Sequence, residues 1–169
     1  MITRTRFLGG DIKIDRPTAI EIKPLQPHQI EAAKQVIGTV CKELWPKWEE
    51  QGSLQDVDDV QSHYLDNNGL FLVLVDDGRV VGTGTIRRLS DKVCELKRMW
   101  FLKEYRGRGL GLKLSQMLLD FAREAGYKKV RLDTGRNQEQ ALRLYQRLGF
   151  TFIERYNDGP CNLFMEKTL

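Results

Sequence analysis

The chain has 169 residues, 41% of them hydrophobic and 30% charged, which suits one packed domain and excludes a chain that is mainly disordered. No apolar run approaches the ~20 residues of a membrane helix, the basic start MITRTRFLGG carries no secretory signal, and three scattered cysteines (Cys41, Cys94, Cys161) with two histidines (His28, His63) form no metal-ligand spacing. The net charge of +4 is spread rather than gathered in a tail, which disfavours a nucleic-acid binder, leaves an anionic cofactor open, and fits a cytoplasmic protein with reduced thiols.

Residues 1–17 lack periodicity and are expected to be an N-terminal extension to a single domain over 18–169. AIEIK at 19–23 alternates as a strand does. Pro27 opens a helical pattern through Leu44, with Ile30, Ala33, Val36, Ile37 and Val40 on one face, and Pro46 stops it. A second helix is predicted over about 54–65, ended by Asn67-Asn68-Gly69. FLVLV (71–75), the turn pair Asp77-Gly78 and RVVGTGTIRRL predict a hairpin, and VCELKRMWFL (93–102) predicts the next strand. A helix from Gly109 to Ala125, the strand KKVRLDT (128–134) and a helix from Asn137 to Leu148 follow. FTFIERY and CNLFMEK, joined by Asn157-Asp158-Gly159-Pro160, predict a closing antiparallel hairpin. Hairpins beside two strand–helix–strand crossovers imply an α/β fold, with a mixed, mostly antiparallel sheet of about seven strands and helices on both faces.

The stretch YRGRGLGLKL, from Tyr105 to Leu114, sits at a strand-to-helix joint. Glycines at such a joint are ordinary turn residues. These extend into the first helical turn, however, and Arg106, Arg108 and Lys113 surround them. A helix start exposes unpaired N–H groups and partial positive charge, so bare backbone there suits a phosphate. No GxxxxGK[ST] is present. Strand, glycines, helix and a strand ending in Asp133 imitate the dinucleotide-binding order, but the last position of GxGxxG falls on Leu112 or Leu114.

Arg106-Gly107-Arg108-Gly109-Leu110-Gly111 matches [QR]xxGx[GA], and in this the chain resembles the GCN5-related N-acetyltransferases (GNAT superfamily). CELKRMWFLKEY upstream resembles that family's cofactor strand, and Asn137…Ala141…Leu144-Tyr145…Gly149-Phe150 resembles its C-terminal helix. The resemblance spans about residues 19–169 and implies the GNAT fold with acetyl-CoA as cosubstrate and no metal. It also implies direct acetyl transfer to a primary amine of a small molecule or a protein N-terminus. The family's final strands make the last strands here a candidate homodimer contact; neither membrane nor nucleic acid is expected as a partner. Rival readings are a non-catalytic acetyl-CoA-binding module of the same fold and a basic nucleic-acid-binding protein.

Carried onto this sequence, the resemblance assigns the cofactor's arm to backbone groups of Met99, Trp100 and Phe101 and its pyrophosphate to the turn Arg106–Gly111. Tyr145 matches the family's general acid, although its place on the apolar stripe with Ala141, Leu144 and Leu148 also suits a core tyrosine. Asn137 matches a cofactor contact and is equally a candidate helix N-cap. Glu95 matches a general base, acting directly or through water. Strand alternation places Glu95, Lys97 and Met99 on one face, which also describes an exposed carboxylate. Cys94 alternates to the other face, against a nucleophile role. For the acceptor two hints disagree. Arg88 and Arg98 suit a carboxylate. The segment Trp48–Asp59, which is acidic and holds no Lys or Arg, suits a cation, with Trp45 and Trp48 as an apolar or cation–π wall.

Overall fold

The computed structural model describes residues 19–47 and 53–169. The extension over 1–17 and the tryptophan Trp48 lie outside them. Seven strands form one sheet in the order β1-β2-β3-β4-β5-β7-β6. They are β1 Glu21–Pro24, β2 Leu70–Asp76, β3 Arg79–Arg88, β4 Val93–Phe101, β5 Lys129–Thr134, β6 Thr151–Phe152 and β7 Leu163–Thr168. Every pairing is antiparallel except β4 with β5. The mixed, mostly antiparallel sheet is the one expected. The second crossover also exists, but β7 inserts between β5 and β6, so its two strands never touch.

Five α-helices flank the sheet among the described residues: α1 Ile30–Leu44, α2 Gln55–Asp58, α3 Val60–His63, α4 Leu110–Glu124 and α5 Glu139–Arg147. α1 buries Ala33, Val36, Ile37, Val40 and Cys41, an i, i+3, i+4 stripe facing the sheet. Its C-cap Trp45 is extended, as the residue before a proline prefers. α4 buries Leu114, Leu118, Leu119 and Ala122. The two sit on opposite faces. Leu114 and Leu118 pack over Gly84 of β3. On the other face Tyr64, which follows α3, stacks edge-on against Phe71, whose β3 neighbour is Thr85. Among the described residues no helix is long and apolar enough to cross a membrane.

Two predicted elements are shorter than expected. The helix over 54–65 is two single turns, because Asp59 leaves helical geometry and caps the second turn, its carboxylate accepting from the Ser62 N–H at 3.1 Å. The strand FTFIERY retains only Thr151–Phe152. Beyond it Arg155 donates to the carbonyls of Asn157 (3.1 Å), Gly159 (3.2 Å) and Cys161 (3.0 Å), gathering 155–161 into a loop instead of a ladder.

Candidate active site

The parallel ladder of β4 and β5 lasts three residues, from Val93 opposite Lys129 to Glu95 opposite Arg131. Past Glu95 the strands part, and among the described residues β4 has no ladder partner on that side. The gap opens into a cleft of roughly 430 Å³, lined from α1 and α2, from both parting strands, from α5 and from the 155–161 loop. Such a volume falls in the range of small-ligand sites.

A β-bulge turns β4 over at the cleft. Thr85 pairs with Lys97 but Thr83 pairs with Trp100, so one residue of β3 opposes two of β4. Arg98 takes the strain with φ +57°, and the hydroxyls of Thr83 and Thr85 donate to the carbonyls of Arg98 (2.6 Å) and Lys97 (2.9 Å). The inserted residue corrects the expected alternation. Glu95 and Lys97 share a face with Trp100, whereas Met99 crosses to the α4 face, where a Cβ on Gly84 would meet its sulfur at 2.7 Å. Phe101 pairs with Gly82 on that same face. Trp100 meets Trp45 edge-on, ring centres 5.8 Å apart, and both line the cleft.

The glycine turn joins β4 to α4. Gly107 and Gly109 have φ +72° and +76°, the left-handed region that L side chains avoid, and Gly109 is the N-cap of α4. A Cβ on either would meet nothing within 4 Å among the described residues, which leaves this backbone open. Gly111 differs: a Cβ there would approach Leu144 to 3.2 Å, so it is small because α4 and α5 pack closely. Arg106 bonds the Phe101 carbonyl at 2.9 Å and grips Glu43 of α1 through both terminal nitrogens at 2.6 and 2.9 Å. That clamp fixes the turn against α1. Arg108 lies over the Tyr105 ring, 5.2 Å from its centre, and Leu110 is the first residue of α4.

Tyr145 is buried in α5, edge-on to Phe150, and lines the cleft. Burial first, then the charge of Asp133, push its phenol well above the usual tyrosine range, so it stays protonated. Asn137 caps no helix. Its side-chain amide donates to the Leu44 carbonyl at 3.2 Å and ties the start of α5 to the end of α1. Glu95 is only 1% exposed and does not line the cleft; it accepts from Arg87 at 2.6 Å and from the Tyr156 hydroxyl at 2.9 Å. Its expected meeting with Met99 on one face does not occur. Cys94 is buried elsewhere, and burial raises its thiol to about 12. His63 lines the cleft.

The two acceptor hints cancel. Arg98, half of the carboxylate hint, takes Asp56, from the acidic segment, with Nε at 3.0 Å and a terminal nitrogen at 2.5 Å. The pair is nearly buried, and Tyr64 donates its hydroxyl to the same carboxylate. Burial works against ionisation of Asp56, but Arg98 and Tyr64 outweigh it and hold the carboxyl below its ordinary range. Arg88 pairs with Asp91 outside the cleft. The cleft groups that sequence reasoning missed are Arg87, Lys97, Asp133, Thr134, Gln138 and Cys161. Asp133 accepts from the Asn157 amide at 2.8 Å. Burial raises the thiols of Cys161 and Cys41 to about 12 and about 11, so neither rests as a thiolate. Among the described residues, four buried polar atoms on cleft residues have no partner: Arg87 Nε, Trp100 Nε1, Thr134 Oγ1 and Gln138 Nε2.

A mixed sheet with one splayed parallel pair, a bulge at the splay and a glycine turn at a helix start defines the acyl-CoA N-acyltransferase architecture. The chain belongs to the acetyltransferase (GNAT) family, whose model matches residues 37–150. It is 36% identical over 102 residues to an uncharacterised N-acetyltransferase, YjgM, of Escherichia coli, covering 59% of this chain and 61% of that protein. It is 33% identical over 117 residues to human N-acetyltransferase 8B, covering 66% and 52%. The matches thus span about half to three-fifths of these relatives. Among solved structures, an acetyltransferase of Streptococcus agalactiae superposes with a TM-score of 0.76 at 25% identity, covering 89% of this chain and 98% of that one. A Salmonella typhimurium acetyltransferase, YncA, solved with acetyl-CoA, superposes with a TM-score of 0.70 at 21% identity, covering 88% and 93%.

Proposed function

We propose that this chain is an acetyl-CoA-dependent N-acetyltransferase, passing an acetyl group by direct attack to a primary amine of a small molecule or a protein N-terminus. The observation that carries the reading is the splay. Main-chain groups without ladder partners run from a helix start open to an anion, along β4, into a cleft holding a protonated tyrosine.

The residues present fit acetyl-CoA. Gly107 and Gly109 leave open backbone at the start of α4, and Trp100, Thr134 and Gln138 hold polar atoms without partners among the described residues. Acetyl-CoA supplies the thioester. Met99, Trp100 and Phe101 would hold its arm through backbone groups, and a single N–H aimed at a developing oxyanion is worth ~3 kcal/mol. The turn from Gly107 to Gly111 would take the pyrophosphate, with Arg108 and Lys113 adding charge. Arg106 contributes by clamping the turn to Glu43, and Asn137 by fixing α5 to α1 beside the cleft.

The amine nitrogen bonds the acetyl carbon, the carbon–sulfur bond breaks, and one proton passes overall from nitrogen to sulfur. Tyr145 serves the sulfur end. Its raised pKa makes it a poor source of a free proton but a steady hydrogen-bond donor to the departing sulfur. Glu95 acts indirectly, because Arg87 and Tyr156 already hold it and a base working directly must reach the amine. The protonated thiols of Cys41 and Cys161 favour direct attack over an acyl-cysteine.

Free-thiol release with acetyl-CoA and a panel of amines, beside calorimetric titration with CoA, tests the reading. The expected result is CoA binding together with thiol release that depends on an added amine. Binding without release across the panel would make the chain a non-catalytic acetyl-CoA-binding module. Absence of binding would remove the cofactor.

A further inference from the structure

The charges in the cleft sort into those already neutralised and those left over. Arg98 and Asp56 neutralise each other. Lys97 has no ion-pair partner among the described residues, although it lines the cleft. Arg87 gives one terminal nitrogen to Glu95 and keeps a buried Nε with no partner among the described residues. Asp133 has the neutral amide of Asn157 and no cation among the described residues.

The leftover charges face each other. The last ladder pair is Glu95 with Arg131. Two residues further along each strand come Lys97 and Asp133, which an unbroken ladder would place side by side. The splay holds them on opposite walls of the cleft. The carboxylate is also a positioned one: Asn157 takes the Gly159 N–H at 2.9 Å with its carbonyl oxygen while its amide holds Asp133, and Arg155 stitches the loop that carries it.

We infer that the acceptor is a free amino acid, held with its amine toward Asp133 and its carboxylate toward Lys97 and Arg87. This rests on the transferase reading above and names the substrate class of the same site. A polyamine would set positive charge against Lys97, and a simple anion would set negative charge against Asp133. A molecule bearing both charges a few bonds apart satisfies both walls. Trp45 and Trp100 add an apolar surface beside them for a side chain. Charged hydrogen bonds at such walls are worth enough to favour the matching ligand at least about tenfold.

The test measures kcat/KM by thiol release at saturating acetyl-CoA for the common L-amino acids, their carboxamides, the corresponding decarboxylated amines, spermidine and a short peptide. At least one free amino acid is expected to exceed its carboxamide and its decarboxylated amine about tenfold or more. Lys97→Met should bring that ratio near one by raising KM for the amino acid, Lys97→Arg should largely keep it, and Asp133→Asn should weaken every amine. Thermal melts of each variant separate these effects from misfolding. Preference for spermidine, a carboxamide or the peptide, or a ratio untouched by Lys97→Met in a folded variant, would overturn the inference while leaving the transferase intact. CoA binding with no thiol release from any acceptor would overturn the transferase reading and this inference with it.

Discussion

The glycine turn follows the end of the splayed strand β4, the far wall of the cleft gathers at its middle, and the two are made from opposite materials. At the turn the molecule presents main chain, and Gly107 and Gly109 keep side chains away from it. At the wall it presents side chains: Arg98, Asp56 and Tyr64 crowd together, with Lys97 beside them and Asp133 across the cleft. The turn therefore fails when a side chain is added, and the wall fails when one is removed. A shared cofactor suits the first design, because main chain is the same whatever the sequence. A changeable acceptor suits the second, because one substitution alters the charge that it meets.

The largest effect is expected at the wall. Asp56→Ala strands the Arg98 guanidinium in a nearly buried site and should cost about 3–5 kcal/mol in urea denaturation. Because Asp56 is more acidic folded than unfolded, its contribution is complete above the unfolded value of ~3.9 and is lost as pH falls through the lower folded value. The gap between wild type and Asp56→Asn should be constant above about pH 5 and close in acid below about pH 4. A gap that widened in acid would contradict the pairing.

Tyr145→Phe comes next, with kcat expected to fall about 100-fold and acetyl-CoA affinity nearly unchanged. An unchanged kcat would remove Tyr145 from the chemistry. Gly109→Ala probes the turn. With open space around the new Cβ, only the left-handed backbone resists, so about 1–2 kcal/mol is expected in thermal denaturation, with weaker acetyl-CoA binding. Gly109→Asn should cost less, since Asn tolerates that conformation; equal losses would mean that the turn rejects side-chain bulk. Glu43→Gln is the smallest. The Arg106 clamp is partly exposed, and its loss should cost under about 1 kcal/mol.

The order of strands and helices was legible because turns and caps announced it: Asp77-Gly78 for the hairpin, Gly126 and Gly149 after helices. The glycine turn was legible for the same reason, although Gly111 proved to serve packing. The wall was not. Alternation along β4 assigns faces correctly only until Arg98, and a left-handed backbone at an arginine leaves no mark in the sequence. Arg98 and Asp56 stand 42 residues apart, so each looked like a free charge. The Asp59 break had a local signal, Asp three before Ser62, hidden inside an apolar pattern that ran across it. The lost end of FTFIERY had none, since Arg155 draws on carbonyls as far along as Cys161.

The extra residue at Arg98 acts as a parity step along β4. Before it, odd-numbered side chains take the sheet face opposite α4 and even-numbered ones the α4 face; after it the assignment is exchanged. Pairing the same residues without that interruption would leave the composition of the strand untouched. It would send Trp100 into the helix layer and Met99 to the cleft side. The identity of the cleft is written in where the count along the strand is interrupted, as much as in which residues line it.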